Sequence, residues 1–297
     1  MRAWLLLVMA GCGGAAVPVA PSTPAAVLTF SPLAEASIEE IIPLGNLNPP
    51  GHTFPSDHIY FAKKPQGVPL DVFAPSAGTV AWILSRESEC KLMVRVNDRL
   101  NWYLDHIRCD PAIKQGSVIA AGQKLGVTTD PSHCLDLGVV DLDVTRRFIR
   151  PDRYPADTIH AAPPLRYYGG QLRDRLLALV HRTDKHGTID QDAPGAIGGN
   201  WFLEGLEASD SFKHENWSKH LAFVHEAGEP AERRIAIGGT IAPAGVYRVA
   251  SEFGKGGTFE LLDRRDGRKR AMMVVEMIDG THIRVAVDGG TPRVYAR

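Results

Sequence analysis

From residue 68 onward the apolar positions come in short runs that alternate with polar ones, broken by turns rich in glycine and proline. A two-residue period of that kind predicts β-strands. Val68–Phe73 and Gly78–Ile83 read as strands around the turn at Ala74 to Ala77. Lys91–Val96 and Asn101–Ile107 flank Asn97 and Asp98 as a hairpin. Residues 113–126 supply further short strands around Gly116 and Gly122, and Cys134–Asp141 reads as the last strand of this half. Asp152 to Pro164 has three prolines and no period, so 151–164 reads as a linker. Leu172–Val180 has the spacing of one short amphipathic helix. Alternating runs then return at 200–206, 221–225, 233–237, 246–249, 259–262, 271–277 and 282–287, with glycine pairs between several of them. The expected fold is mainly β: an antiparallel sheet or sandwich domain over 35–150, then a small antiparallel barrel or sandwich of meander order over 165–297.

The N-terminus has a different pattern. Arg2 precedes the apolar stretch Ala3–Ala10, the charge and length of an export signal. Leu7 to Cys12 resembles a lipobox, with Met9 in place of the usual leucine, so residues 1–12 are expected to be a lipoprotein-type signal lipidated at Cys12. Residues 13–34 are rich in alanine and proline and read as a flexible tether. The expected location is the bacterial cell envelope, with the membrane contacted through the lipid alone. No apolar run reaches the roughly 18–20 residues of a spanning helix.

Composition narrows the function. Of 297 residues, 33 are Lys or Arg and 34 Asp or Glu, a balance that gives no electrostatic case for a nucleic-acid partner. Export permits a disulfide. Cys90 and Cys109 stand at the base of the predicted hairpin, where adjacent strands come close enough for a bridge, so this pair is expected. Cys134 reads as a small buried hydrophobe.

The candidate chemistry lies in Gly51–Phe61, where His52, Asp57 and His58 fall within seven residues just before a strand. Imidazole nitrogens and carboxylate oxygens are zinc ligands, and a catalytic zinc takes three protein ligands with a fourth position open. The other reading is a polar turn whose histidines hydrogen-bond locally.

Over roughly residues 45–145 the order of motifs resembles the lysostaphin/LytM-type zinc endopeptidases of bacterial cell walls, the Duplicated hybrid motif fold. Ala74-Pro75-Ser76-Ala77-Gly78-Thr79-Val80 resembles the family's "AP-x-x-G-x-V" turn, and Tyr103-Leu104-Asp105-His106-Ile107 its "Y-x-H-L". Val118 with Ala121-Gly122-Gln123-Lys124-Leu125-Gly126 resembles "V-x-x-G-Q-x-I-G", and His133-Cys134-Leu135-Asp136-Leu137-Gly138-Val139 falls where the family has "H-x-H-F-E-V". The resemblance implies zinc held by His52, Asp57 and His133, with His106 taking a proton or stabilising an oxyanion. Asp136 would orient an imidazole, and His58 offers an alternative ligand. Two departures fall at this site. His52 and Asp57 are five residues apart where the family has H-x-x-x-D, and the closing H-x-H is Cys134-Leu135-Asp136. The functional expectations are therefore a zinc endopeptidase acting on peptidoglycan, a degenerate module that binds wall or a wall-processing enzyme, or a domain whose metal is structural.

Overall fold

A computed structural model describes residues 26–129 and 133–297; Cys12 and the proposed signal lie outside them. Ten strands form the first sheet: β1 (Ile38–Ile42), β2 (Ile59–Lys63), β3 (Asp71–Phe73), β4 (Gly78–Ser85), β5 (Cys90–Arg95), β6 (Leu100–Cys109), β7 (Val118–Ile119), β8 (Lys124–Thr128), β9 (Cys134–Asp141) and β10 (Ala161–Ala162). The main order is β1-β2-β9-β6-β5-β4-β7, with β10 beside β9 and with β8 joining β3 to β6. The pairings are antiparallel, as short turns between alternating strands dictate. Cys90 and Cys109 are joined in a disulfide with Cα atoms 6.1 Å apart. Closing a loop of this length contributes about 3 kcal/mol.

The first core extends past both ends of the predicted domain. Leu28 and Leu33, in the stretch read as a tether, are buried, and so are Leu165, Tyr167 and Tyr168 just beyond the predicted linker. The linker stretch is itself structured. It holds a short helix, α1 (Ala156–Ile159), and β10, which pairs with β9. A second helix, α2 (Gly170–Ala178), buries Leu176 against the same core.

The second half is a closed antiparallel barrel: β11 (Gly199–Leu203), β12 (His220–Glu226), β13 (Glu229–Ile237), β14 (Gly245–Arg248), β15 (Gly256–Asp263), β16 (Lys269–Met277), β17 (His282–Val287) and β18 (Arg293–Ala296). The last of these had no counterpart in the sequence reading; pairing with both β11 and β17, it closes the barrel. Side chains on a strand alternate between faces, and β12 uses both. Leu221 and Phe223 point into the barrel core with Trp201, while Ala222 and Val224 face the core of the first sheet. The uninterrupted run LAFV is apolar because both faces are covered.

Aromatic rings fasten the two halves together. Phe54 stacks on His220 at 4.2 Å between centroids and meets Phe202 edge-on at 4.9 Å. Phe148 stacks on Tyr154 at 3.8 Å, and Tyr154 lies 5.3 Å from Phe212. Phe54 belongs to the same loop as His52 and Asp57, so the barrel fixes the entry to β2.

Gly138 on β9 faces Tyr103 on β6, and a Cβ there would lie 2.1 Å from the tyrosine ring. Gly138→Ala should therefore displace Tyr103 and lower stability by about 1–3 kcal/mol. Urea unfolding checks this against Gly254→Ala, whose added Cβ meets nothing within 4 Å and which should change little.

Candidate functional site

The predicted cluster does converge on a cleft, but with different contacts from those the spacing implied. β2 and β9 pair with Tyr60 opposite Asp136, and β6 pairs with β9 with Asp105 opposite Asp136. That register sets Asp136 at the centre, with His58 on one side and His106 on the other. His58 is buried and sits between two carboxylates. Its Nδ1 is 3.0 Å from Asp57 Oδ1, and its Nε2 is 3.1 Å from Asp136 Oδ2. The first contact is a hydrogen bond. The second is an ion pair whose alignment falls outside hydrogen-bond geometry, so His58 Nε2 has no hydrogen-bond partner among the described residues, and neither does the other Asp136 oxygen, Oδ1. Asp57 takes two more donors, Tyr103 Oη at 3.0 Å on Oδ1 and Thr158 Oγ1 at 2.5 Å on Oδ2.

Electrostatics follow from this packing. Burial alone would push His58 down, but Tyr60, Asp136 and Asp57 outweigh it and hold its pKa well above the usual 6.5. Burial would raise Asp57, yet His58 and Thr158 hold it far below the ordinary carboxylate range. Asp136 is likewise held down, against burial, by His58, His106 and His52. His58 is thus an imidazolium flanked by two carboxylates. His52, with its ring centroid 5.1 Å from that of His58, goes the other way: burial and the neighbouring His58 charge push it down to about 4.

His106 stands where β6 changes partners. Asp105 still pairs with β9, whereas Ile107 pairs with Thr128 of β8. The change puts His106 at φ 62°, a left-handed backbone that disfavours a residue with a Cβ. Its carbonyl accepts hydrogen bonds from Thr129 N and Thr129 Oγ1, and its N–H donates to Asp105 Oδ1 at 2.8 Å. Strain held this firmly is a mark of functional positions. The ring reaches Glu89 Oε2 through Nδ1 at 2.9 Å, and its Nε2 lies 3.4 Å from Asp136.

The cleft encloses about 960 Å³ and is walled by His52, Asp57, His106, His133 and Asp136, with Trp217 of the barrel half on its rim. His133 is exposed and Cys134 half-buried, the latter pushed up to about 11 by burial and Asp136. Trp201 is inside the barrel, while Trp217 lies against Gly51.

The three residues expected to hold zinc do not gather as one ligand set among the described residues. His52, Asp57 and His133 were expected to ligate together. Among the described residues, the group of three that does bring ligand atoms within 4.8 Å of one another is Glu89, Asp105 and His106. Arg86 already pairs with that group, donating through Nη1 to Glu89 at 2.9 Å and to Asp105 at 3.0 Å. Asp57 spends its oxygens on His58, Tyr103 and Thr158 because the five-residue spacing places His58, not His52, beside it. His133 stands one residue before the motif position held by Cys134, and it is exposed. In both places where carboxylates gather, a basic side chain lies against them, His58 in one and Arg86 in the other.

Arg86, Glu89, Tyr103 and Thr158 were not foreseen. Tyr103 stood within the quoted motif, and Arg86 and Glu89 have hairpin-end spacing. Thr158 lies 101 residues from Asp57, and no local signal connects them.

Among solved structures, the chain is similar to lysostaphin from Staphylococcus simulans, described as an antimicrobial peptidase, over 92% of both chains at 12% identity and a TM-score of 0.35. It is similar to Csd3 from Helicobacter pylori at 18% identity and a TM-score of 0.34, covering 50% of this chain and 39% of that one. A chain of the SpoIIQ–SpoIIIAH pore-forming complex matches at 17% identity and a TM-score of 0.32, over 40% of this chain and 86% of that one. The chain thus spans well under half the length of Csd3. Neither a family model nor a curated protein matches it.

The titrations give a pH signature. His58, raised above 6.5, contributes stability that is complete below pH 6.5 and lost as pH rises through its folded value. His52 stays neutral down to about 4 in the folded chain while the unfolded chain takes up a proton from about 6.5 downward, so its effect lowers stability across that interval. Asp57 and Asp136, held low, add stability that is present above the ordinary 3.8 and lost at lower pH. Stability should therefore peak near pH 6.5. Urea midpoints at about pH 5, 6.5 and 9 should show the alkaline decline shrinking in His58→Gln and the acid decline shrinking in His52→Gln.

Proposed function

We propose that this chain is a LytM-like binding module of the cell envelope that works without zinc, its cleft taking up peptidoglycan peptide or a segment of a wall-processing enzyme. The observation that carries this reading is His58 itself. An imidazolium with one nitrogen on Asp57 and the other on Asp136 supplies internally the positive charge that a catalytic metal would bring. Displacing it would leave two buried carboxylates to be satisfied again, at a cost of several kcal/mol per ion. The motif order over 45–145 supports the LytM-like part of the reading, and the departures at Asp57 and Cys134 to Asp136 support the loss of metal.

The cleft is suited to binding. It offers the neutral His52, the half-exposed His106 and the indole of Trp217 on one surface. Aromatic and imidazole faces with a few polar groups are the usual lining of a peptide or small-ligand site. Within this reading the Arg2–Ala10 segment directs export and Cys12 carries the lipid that holds the module at the membrane. Both belong to the proposal.

Two measurements on the full-length protein test it. Metal content after purification and zinc reconstitution should stay well below one zinc per chain, and isolated peptidoglycan should not be cleaved. Binding to sacculi or to a wall enzyme should be weakened several-fold by Trp217→Ala while far-UV circular dichroism is unchanged. A stoichiometric zinc lost in His52→Ala and His133→Ala, with release of muropeptides, would establish the endopeptidase instead.

A further inference from the structure

Behind the cleft is a second cavity of about 260 Å³, between the two halves of the chain. It shares Gly51, His52, Asp57, Lys91 and Trp217 with the cleft, so the two spaces meet at those residues. Its walls are aromatic: Phe54, Phe148, Tyr154 and Phe212. Three polar groups on its lining have unmet capacity. Asn200, only 3% exposed, donates its amide to Tyr154 Oη at 3.1 Å, but its Oδ1 is buried with no hydrogen-bond partner. A buried carbonyl left this way costs about 1–3 kcal/mol, a cost that a donor on a ligand would remove. Among the described residues, the half-buried Asp157 carboxylate takes no hydrogen bond or ion pair. Lys91 has its ammonium 3.9 Å over the Tyr103 ring, with no carboxylate of the described residues in ion-pair range.

An unpaired acid, an unpaired base and an orphan acceptor around an aromatic chamber define a ligand by complement. We infer that this cavity binds a small zwitterion of the amino-acid type. Its ammonium would meet Asp157 and the Asn200 carbonyl, its carboxylate would meet Lys91, and its apolar body would lie among the rings. The two walls come from different halves of the chain, Asp157 and Lys91 from the sheet half and Asn200 from the barrel. Occupancy would therefore bind the halves together. The inference rests on the cleft reading only in that the cleft is the route of entry. The same charges reach the cavity either on a free amino acid or on a peptide side chain that itself ends in both an ammonium and a carboxylate.

Isothermal titration of the full chain with phenylalanine and leucine, alongside phenethylamine and 3-phenylpropionate, reads the inference directly. The zwitterions should bind about tenfold or more tightly than either single-charge analogue, as two charge-assisted contacts require. Asp157→Asn should bring phenylalanine down to the level of phenylpropionate, and Lys91→Gln should bring it down to that of phenethylamine. Neither side chain has a hydrogen-bonded partner to lose, and unchanged thermal unfolding confirms the fold of both variants. A capped tripeptide with internal phenylalanine lacks both charges; if it binds as tightly as the free amino acid, apolar filling is all the cavity does and the inference falls. No heat from either amino acid at millimolar concentration also overturns it. If sacculus or partner binding persists in that case, the cleft reading stands without the cavity. Discriminating zwitterion binding with no wall or partner binding separates the two the other way.

Discussion

His58 is held between Asp57 and Asp136, and neither carboxylate could stay buried and charged without it. Taking an ion out of water costs several kcal/mol even after relaxation, and the cost is met only by close opposite charge with further hydrogen bonds. Asp57 has those bonds from Tyr103 and Thr158, so a single carboxylate draws together the entry to β2, the middle of β6 and helix α1. Tyr103 can reach it only because Gly138 leaves the facing position of β9 empty. Remove the charge pair and three elements lose their common partner. The aromatic interface then becomes a consequence of the same loop, since Phe54 lies between His52 and Asp57 and carries its ring onto His220 and Phe202 of the barrel.

The strands were legible because alternation is a local property. A strand with one covered face shows it within five or six residues, and the barrel strands were placed by their patterns and glycine turns. Arg293–Ala296 escaped because four residues are too few to show a period; closure of the barrel needs it, and closure is a global constraint. The limits of the first domain escaped for a related reason. Leu28, Leu33 and Tyr168 belong to its core through contacts made at long range, while their neighbours have the proline and alanine of a linker.

At the site, the residue types could be read and their roles could not. His52, His58, His106 and Asp136 do line or underlie one cleft. Which imidazole meets which carboxylate, however, depends on strand register, and a shift of one residue sends a side chain to the other face. The register of β2 against β9 brings His58, which enters β2, to Asp136, while Asp57 meets it as its chain neighbour. Thr158 and Arg86 complete the arrangement from segments that no motif marks.

The same geometry bears on what the cleft can do. Hydrolysis of a peptide bond by this scaffold needs a strong Lewis acid and a base within reach of one water. Here Asp57 and Asp136 flank His58, and Glu89 and Asp105 accept from Arg86, while Asp136 Oδ1 takes no donor among the described residues. His106 remains on the cleft wall, held in a strained backbone by Thr129 and Asp105. Its ring lies between Glu89 and Asp136, with Nδ1 2.9 Å from the first and Nε2 3.4 Å from the second. The wall combines imidazole and carboxylate groups, and the interface with the barrel adds the indole of Trp217 to it. On this argument the second half of the chain contributes surface to recognition, and the internal cations keep the first half folded around it.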